Sequence, residues 1–121
     1  AEWPIITYSE GFTGRPKIDK SFSDAGIAPD IVLSALAADV IKAYVELGMG
    51  VGIIAAMAFD PERDTALRRL PAGGLFESNT SSLAVRRGRF LRDYVYRFIE
   101  LCSPELTETR VRAMERASNT L

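Results

Sequence analysis

The sequence has no histidine, a single cysteine and no excess of either charge, with 15 Lys+Arg against 16 Asp+Glu over 121 residues. Each shortage removes a class of chemistry. Without histidine the chain lacks the commonest general base and the commonest zinc ligand, and one cysteine makes neither an intrachain disulfide nor a thiolate metal site. No metal site, catalytic residue or cofactor is expected, and the chain does not read as an enzyme. The balanced charge supplies no global attraction for a polyanion, so nucleic-acid binding would need a local patch or a segment outside this chain. No window holds about 18 uncharged apolar residues, and Ala1-Glu2-Trp3-Pro4 lacks the charged-then-apolar layout of a signal peptide. A cytoplasmic domain without membrane association is expected. There is length for one modest core, and 47% apolar residues to fill it.

Periodicity organises the first half. Ile5-Ile6-Thr7-Tyr8 is a run of β-formers that breaks into Ser9-Glu10-Gly11-Phe12-Thr13-Gly14, so a strand and a shaped loop are expected. Ile18, Phe22 and Ala25 then recur at i, i+4 and i+7, the spacing of one helical face, with Gly26 as the stop. Ile31-Val32-Leu33 is a short apolar run suited to a parallel sheet. Residues 37–47 carry Val40, Ile41, Tyr44, Val45 and Leu47 opposite Asp39, Lys42 and Glu46, which predicts an amphipathic helix closed by Gly48. The chargeless run Gly50-Val51-Gly52-Ile53-Ile54-Ala55-Ala56 is expected to be a central strand buried on both faces. Alternating strands and helices predict an α/β fold with a parallel sheet.

The second half is less regular. Asp60-Pro61-Glu62-Arg63-Asp64 and Pro71-Ala72-Gly73-Gly74 are expected as surface loops without catalytic groups. Residues 82–86 suggest a strand. Phe90, Leu91, Tyr94, Val95, Phe98, Ile99 and Leu101 form a helical apolar stripe ending near Ser103-Pro104, and residues 105–121 a weaker helix. The dense basic group Arg86, Arg87, Arg89, Arg92 and Arg97 is interrupted by Asp93 and Glu100, which favours a solvated face over a nucleic-acid surface. Cys102 ends the apolar stripe and is expected in the core.

One segment carries chemistry. Gly11-Phe12-Thr13-Gly14-Arg15 joins a strand to a helix start, where free backbone N–H groups favour a small anion. Thr13 adds a hydroxyl donor and Arg15 a charge. Taken alone, the short glycine motif favours a plain turn with Thr13 capping the helix over an anion site. The second helix start, Ala37-Ala38-Asp39, is expected on the same side of the sheet, where open α/β sheets collect ligands.

Five segments in order, Trp3 to Tyr8, Gly11 to Arg15, Asp39 to Val45, Leu47 to Gly52 and Arg97 to Cys102, resemble the effector-binding region of CysB-like and Cbl-like LysR-type transcriptional regulators of sulfur assimilation. The resemblance runs from Trp3 to about Thr107. It implies a periplasmic-binding-protein-like (type II) effector domain, here mainly the second Rossmann-like subdomain, over 1–78. Residues 79–121 would be the crossover strand and C-terminal helices of the first. It also implies an effector in the cleft between subdomains, contacted by Thr13, with Phe12, Gly14 and Thr7 shaping that wall. The candidate effectors are sulfate, thiosulfate, acetylserine and adenosine phosphosulfate. The segment Ser34-Ala35-Leu36-Ala37-Ala38-Asp39 lacks a Thr and an acidic residue usual in CysB relatives, and Asp30-Ile31-Val32-Leu33-Ser34-Ala35 is nearer the Cbl pattern. Self-association is expected, and DNA contact only through an N-terminal winged helix-turn-helix outside this chain. The competing readings are a solute-binding protein of the same fold and a small α/β enzyme using Thr13 or Cys102.

Overall fold

The computed structural model describes residues 2–86 and 88–118, which fall into two compact units, Ala1–Asn79 and Thr80–Leu121. The first unit runs β1 (Ile5–Tyr8), α1 (Arg15–Asp24), β2 (Ile31–Ala35), α2 (Ala38–Glu46), β3 (Val51–Gly52) and a single 3-10 turn (Ala56–Ala58). Its sheet is parallel, in the order β2-β1-β3. The predicted α/β alternation and strand direction hold.

β1 occupies the centre because it can be buried along its length: Ile5, Ile6 and Thr7 are all buried. Ile6 pairs with Leu33 on one side and Gly52 on the other, and packs with Ala35 and Ile41. Tyr44, Val45 and Ile54 close over this cluster. Of the predicted α2 stripe, Ile41, Tyr44 and Val45 form the face that does so, whereas Val40 and Leu47 are exposed. α2 ends at Glu46, and Gly48 follows with φ +78°, the left-handed angle that a helix stop requires and that side chains resist.

Two strand expectations of the first unit need correction. The run 50–56 is not a central strand: only Val51 and Gly52 form β3, at the sheet edge, and Ala55, Ala56 and Met57 are exposed. Its glycines serve close approach. A Cβ at Gly52 would lie 2.8 Å from Val45 Cγ2, and one at Gly50 would collide with the backbone of Pro4. The chain then leaves the sheet as side chains take over its backbone groups, with Thr7 donating to the Ile53 carbonyl and Tyr8 accepting from the Ala55 N–H. β2 is also less buried than a run of apolar residues suggests. The pairing steps from Ile5–Ile31 to Ile6–Leu33, so the register skips Val32, which is 49% exposed.

The charged loop 60–64 is likewise not wholly superficial. Asp64 is buried; its carboxylate accepts the Asp60 N–H at 2.8 Å and pairs with Lys42 Nζ at 3.0 Å. Lys42 also pairs with Asp39 and donates to the Ala58 carbonyl, clasping this loop to α2. The Asp60 amide first, then Lys42, holds the Asp64 carboxyl below its ordinary 3.8, and Asp39 and Asp64 together raise Lys42. A lowered carboxyl stabilises the fold fully above its unfolded value and loses that contribution as pH falls through its folded value. Asp64→Asn is therefore expected to lower the melting temperature by several degrees at pH 7 and to flatten the loss of stability below about pH 4. Thermal melts between pH 2 and 7 that keep the wild-type slope would refute this role.

The second unit holds α3 (Asp93–Cys102) and α4 (Glu108–Ser118). Tyr96, Ile99 and Val111 are its buried cluster, with Leu91, Val95 and Leu106 against it. Burial first, then its hydrogen bond to Glu115, raises the Tyr96 hydroxyl above its ordinary value. Residues 82–86 form no strand, since they gain no ladder partner among the described residues, and a strand exists only by pairing. Arg87 lies outside the described residues. α3 starts at Asp93 rather than near Phe90, and the stripe divides: Tyr96 and Ile99 point inward while Tyr94, Phe98 and Leu101 are exposed. Cys102 is exposed rather than in the core. No helix among the described residues is long and apolar enough to cross a membrane.

Candidate functional site

The parallel register Tyr8–Ala35 puts the carboxyl ends of β1 and β2 side by side, and the Ser9 N–H donates to the Ala35 carbonyl at 3.0 Å. Both following helices therefore start at this end of the sheet, as parallel strands require. Between β1 and α1 the loop is built by two backbone bonds, Phe12 N–H to Ser9 at 3.2 Å and Arg15 N–H to Phe12 at 3.0 Å. Gly11 makes the bend with φ +86°.

Side chains then fix the loop. Phe12 stacks on Tyr8 with ring centroids 5.6 Å apart and planes 6° from parallel. The Tyr8 hydroxyl is held by the Ala55 N–H at 3.1 Å. Arg15 is buried; its guanidinium donates to Asp19 at 2.7 Å and to the Tyr8 carbonyl at 2.8 Å. This corrects the expectation that Arg15 lends charge to an anion: it is buried and paired with Asp19, and these two bonds brace the end of β1 against α1. That commitment depends on a carbonyl seven residues earlier and had no signal in the local pattern.

Thr13 stands differently. It is exposed, and among the described residues neither its hydroxyl nor the N–H groups of Thr13 and Gly14 have a hydrogen-bond partner. The capping alternative is not what forms: the N-cap of α1 is Gly14, without a side-chain cap bond, and Pro16 fills the first turn. Thr7, by contrast, is fully buried, and its hydroxyl donates to the Ile53 carbonyl at 3.3 Å. It ties β1 to the segment that follows β3 and has no surface to offer a ligand. Phe12, the residue before Thr13, is 40% exposed. Thr13, Gly14 and Phe12 therefore share one loop, while Thr7 is buried within β1. Sequence reasoning missed Tyr8, whose hydroxyl and ring both hold the loop. No cluster of metal-ligating side chains occurs among the described residues.

A surface loop with free donors at the carboxyl end of a parallel sheet is the sort of place that holds a small ligand. Residues 1–107 match the LysR substrate binding domain. The chain belongs to this family. It is 54% identical over 116 residues to the HTH-type transcriptional regulator SsuR of Burkholderia cenocepacia, covering 96% of this chain and 38% of that protein. It is 56% identical over 106 residues to the regulator CysB of the same organism, covering 88% of this chain and 34% of that protein. The crystal structure of the cofactor-binding domain of the Cbl transcriptional regulator superposes with a TM-score of 0.76 at 44% identity, covering 94% of this chain and 50% of that one. This LysR domain thus spans about a third of the length of the curated relatives it matches. Those relatives are transcriptional regulators and the domain is a ligand-binding one, not an enzyme.

Proposed function

We propose that this LysR domain senses a small sulfur-related anion, or acetylserine, for a regulator of sulfur assimilation, and that the loop of Phe12, Thr13 and Gly14 is one wall of its effector site. The observation that carries the reading is the exposed Thr13 hydroxyl, free of protein partners among the described residues, on a loop whose Phe12 stacks on Tyr8, itself fixed by Arg15 and the Ala55 N–H. A preorganised donor of this kind binds an oxyanion or carboxylate without first breaking an internal bond, and the adjacent N–H groups add to it. Sulfate, thiosulfate, acetylserine and adenosine phosphosulfate share the anionic oxygens this wall recognises. The names SsuR, CysB and Cbl among the relatives agree with this class of effector.

In the full-length protein Thr13→Ala is expected to weaken effector binding by about 1.5 to 3 kcal/mol, the worth of a hydrogen bond to a charged group, with no change in unliganded stability. Calorimetric titration with the four candidate effectors checks this; an unchanged affinity would remove Thr13 from the site.

Two partners complete the proposal. DNA contact belongs to a winged helix-turn-helix outside this chain, and the whole works in the cytoplasm. Effector binding would shift the populations of an oligomer. Self-association is supported by the exposed Tyr94, Phe98 and Leu101 on α3, at 68%, 61% and 71%. Sedimentation of this chain as one monomeric species would count against it.

A further inference from the structure

Four consecutive residues, Phe76 to Asn79, lie along α1 in the reverse direction. Phe76 meets Phe22 edge-on at 6.4 Å, Glu77 faces Lys20 at 3.7 Å, and the Ser78 carbonyl accepts from Lys17 Nζ at 2.5 Å. Asn79 completes the series at Gly14: a Cβ on that glycine would sit 3.6 Å from the Asn79 side-chain nitrogen. The contacts step from position 22 to 20, 17 and 14, from the end of α1 to its beginning. Chemically different contacts, an aromatic pair, an ion pair and a backbone hydrogen bond, all serve one register. A slip of one residue would break all three.

The strap delivers an amide to the effector loop. Among the described residues the Asn79 side chain has no hydrogen-bond partner, and it is exposed against Gly14, the residue that follows the equally unpartnered Thr13. We infer that Asn79 is a further effector-contacting residue, its side-chain N–H2 donating to the anionic oxygens of the ligand that Thr13 holds. This rests on the placement of the effector at the Thr13 loop. An uncharged amide next to a hydroxyl suits a small oxyanion or carboxylate: it donates without adding a cation that would retain any passing polyanion.

The test is calorimetric titration of the full-length protein and of Asn79→Ala, Asn79→Asp and Thr13→Ala with sulfate, thiosulfate, acetylserine and adenosine phosphosulfate, with the unliganded melting temperature of each. Asn79→Ala is expected to weaken the tightest of these about tenfold. Asn79→Asp, nearly the same shape but negative, is expected to weaken it about a hundredfold, because it replaces a donor with a repelling charge. All variants should melt with the wild type. A merely structural asparagine would give the opposite order, the smaller change for the isosteric Asp. If Thr13→Ala weakens binding and both Asn79 variants bind normally, Asn79 is not a contact and the Thr13 site stands. If Thr13→Ala also binds normally, or the wild type binds none of the four, the Thr13 reading fails and the inference fails with it.

Discussion

Gly50→Ala is expected to destabilise the protein by about 3 kcal/mol, at the upper end of what one inserted methyl does in a packed structure. The obstacle is backbone rather than side chain. A Cβ at Gly50 would lie 3.0 Å from the Pro4 carbonyl carbon and closer still to its oxygen, and that oxygen accepts the Val51 N–H at 2.8 Å. No rotamer change relieves the clash, so the segment entering β3 must move away from the segment entering β1. With the Val51 bond go the neighbouring ones, Ile53 N–H to Ile6 at 2.9 Å and the Thr7 hydroxyl to Ile53. Gly73→Ala is the control. It adds the same methyl in a loop where nothing lies within 4 Å of it and φ is not positive, and it is expected to be neutral or to stabilise by up to about 1 kcal/mol through the unfolded chain. Urea midpoints separate the two; equal midpoints would show that the Pro4 approach is freely relaxed.

The same glycine shows where the sequence was legible and where it was not. Strand and helix signals that depend on near neighbours came through: the β-formers Ile5 to Tyr8, and the Ile41, Tyr44, Val45 stripe that ends at Gly48, are where the periodicity put them. Features set by distant partners did not. A chargeless run with glycines at 50 and 52 looks the same whether it fills a sheet centre or passes tightly over Pro4 and Val45; only the fold distinguishes them. Asp64 seemed an ordinary loop acid because Lys42, which draws it inward, is far along the chain. At the site, the glycine-flanked loop and Thr13 were legible because a strand, a turn and a helix follow one another locally. Arg15 was misjudged because its acceptors include a backbone carbonyl, which sequence never marks. Asn79 gave no signal, since its relevance comes from the register of a strap against α1.

Ile6→Ala is the second large effect, and it separates folding from sensing. Ile6 has no exposed surface, sits mid-way along the central strand and touches the cluster of Ala35 and Ile41. Removing its outer carbons forfeits their transfer energy and leaves a cavity between sheet and α2, which costs about 3 to 4 kcal/mol. That is a large share of the total for a small domain. Val32→Ala on β2, where the register skip leaves Val32 half outside, should cost below about 1 kcal/mol. Neither residue belongs to the Thr13 loop. Effector stabilisation depends only on concentration and affinity of the folded state, so Ile6→Ala should melt far below the wild type yet gain the same free energy from saturating effector. Thr13→Ala should do the reverse, melting with the wild type and gaining less. If Ile6→Ala also lost the effector-dependent gain at temperatures where it is folded, the loop would owe its shape to the core beneath β1, and the braces from Tyr8 and Arg15 would not be sufficient to hold it.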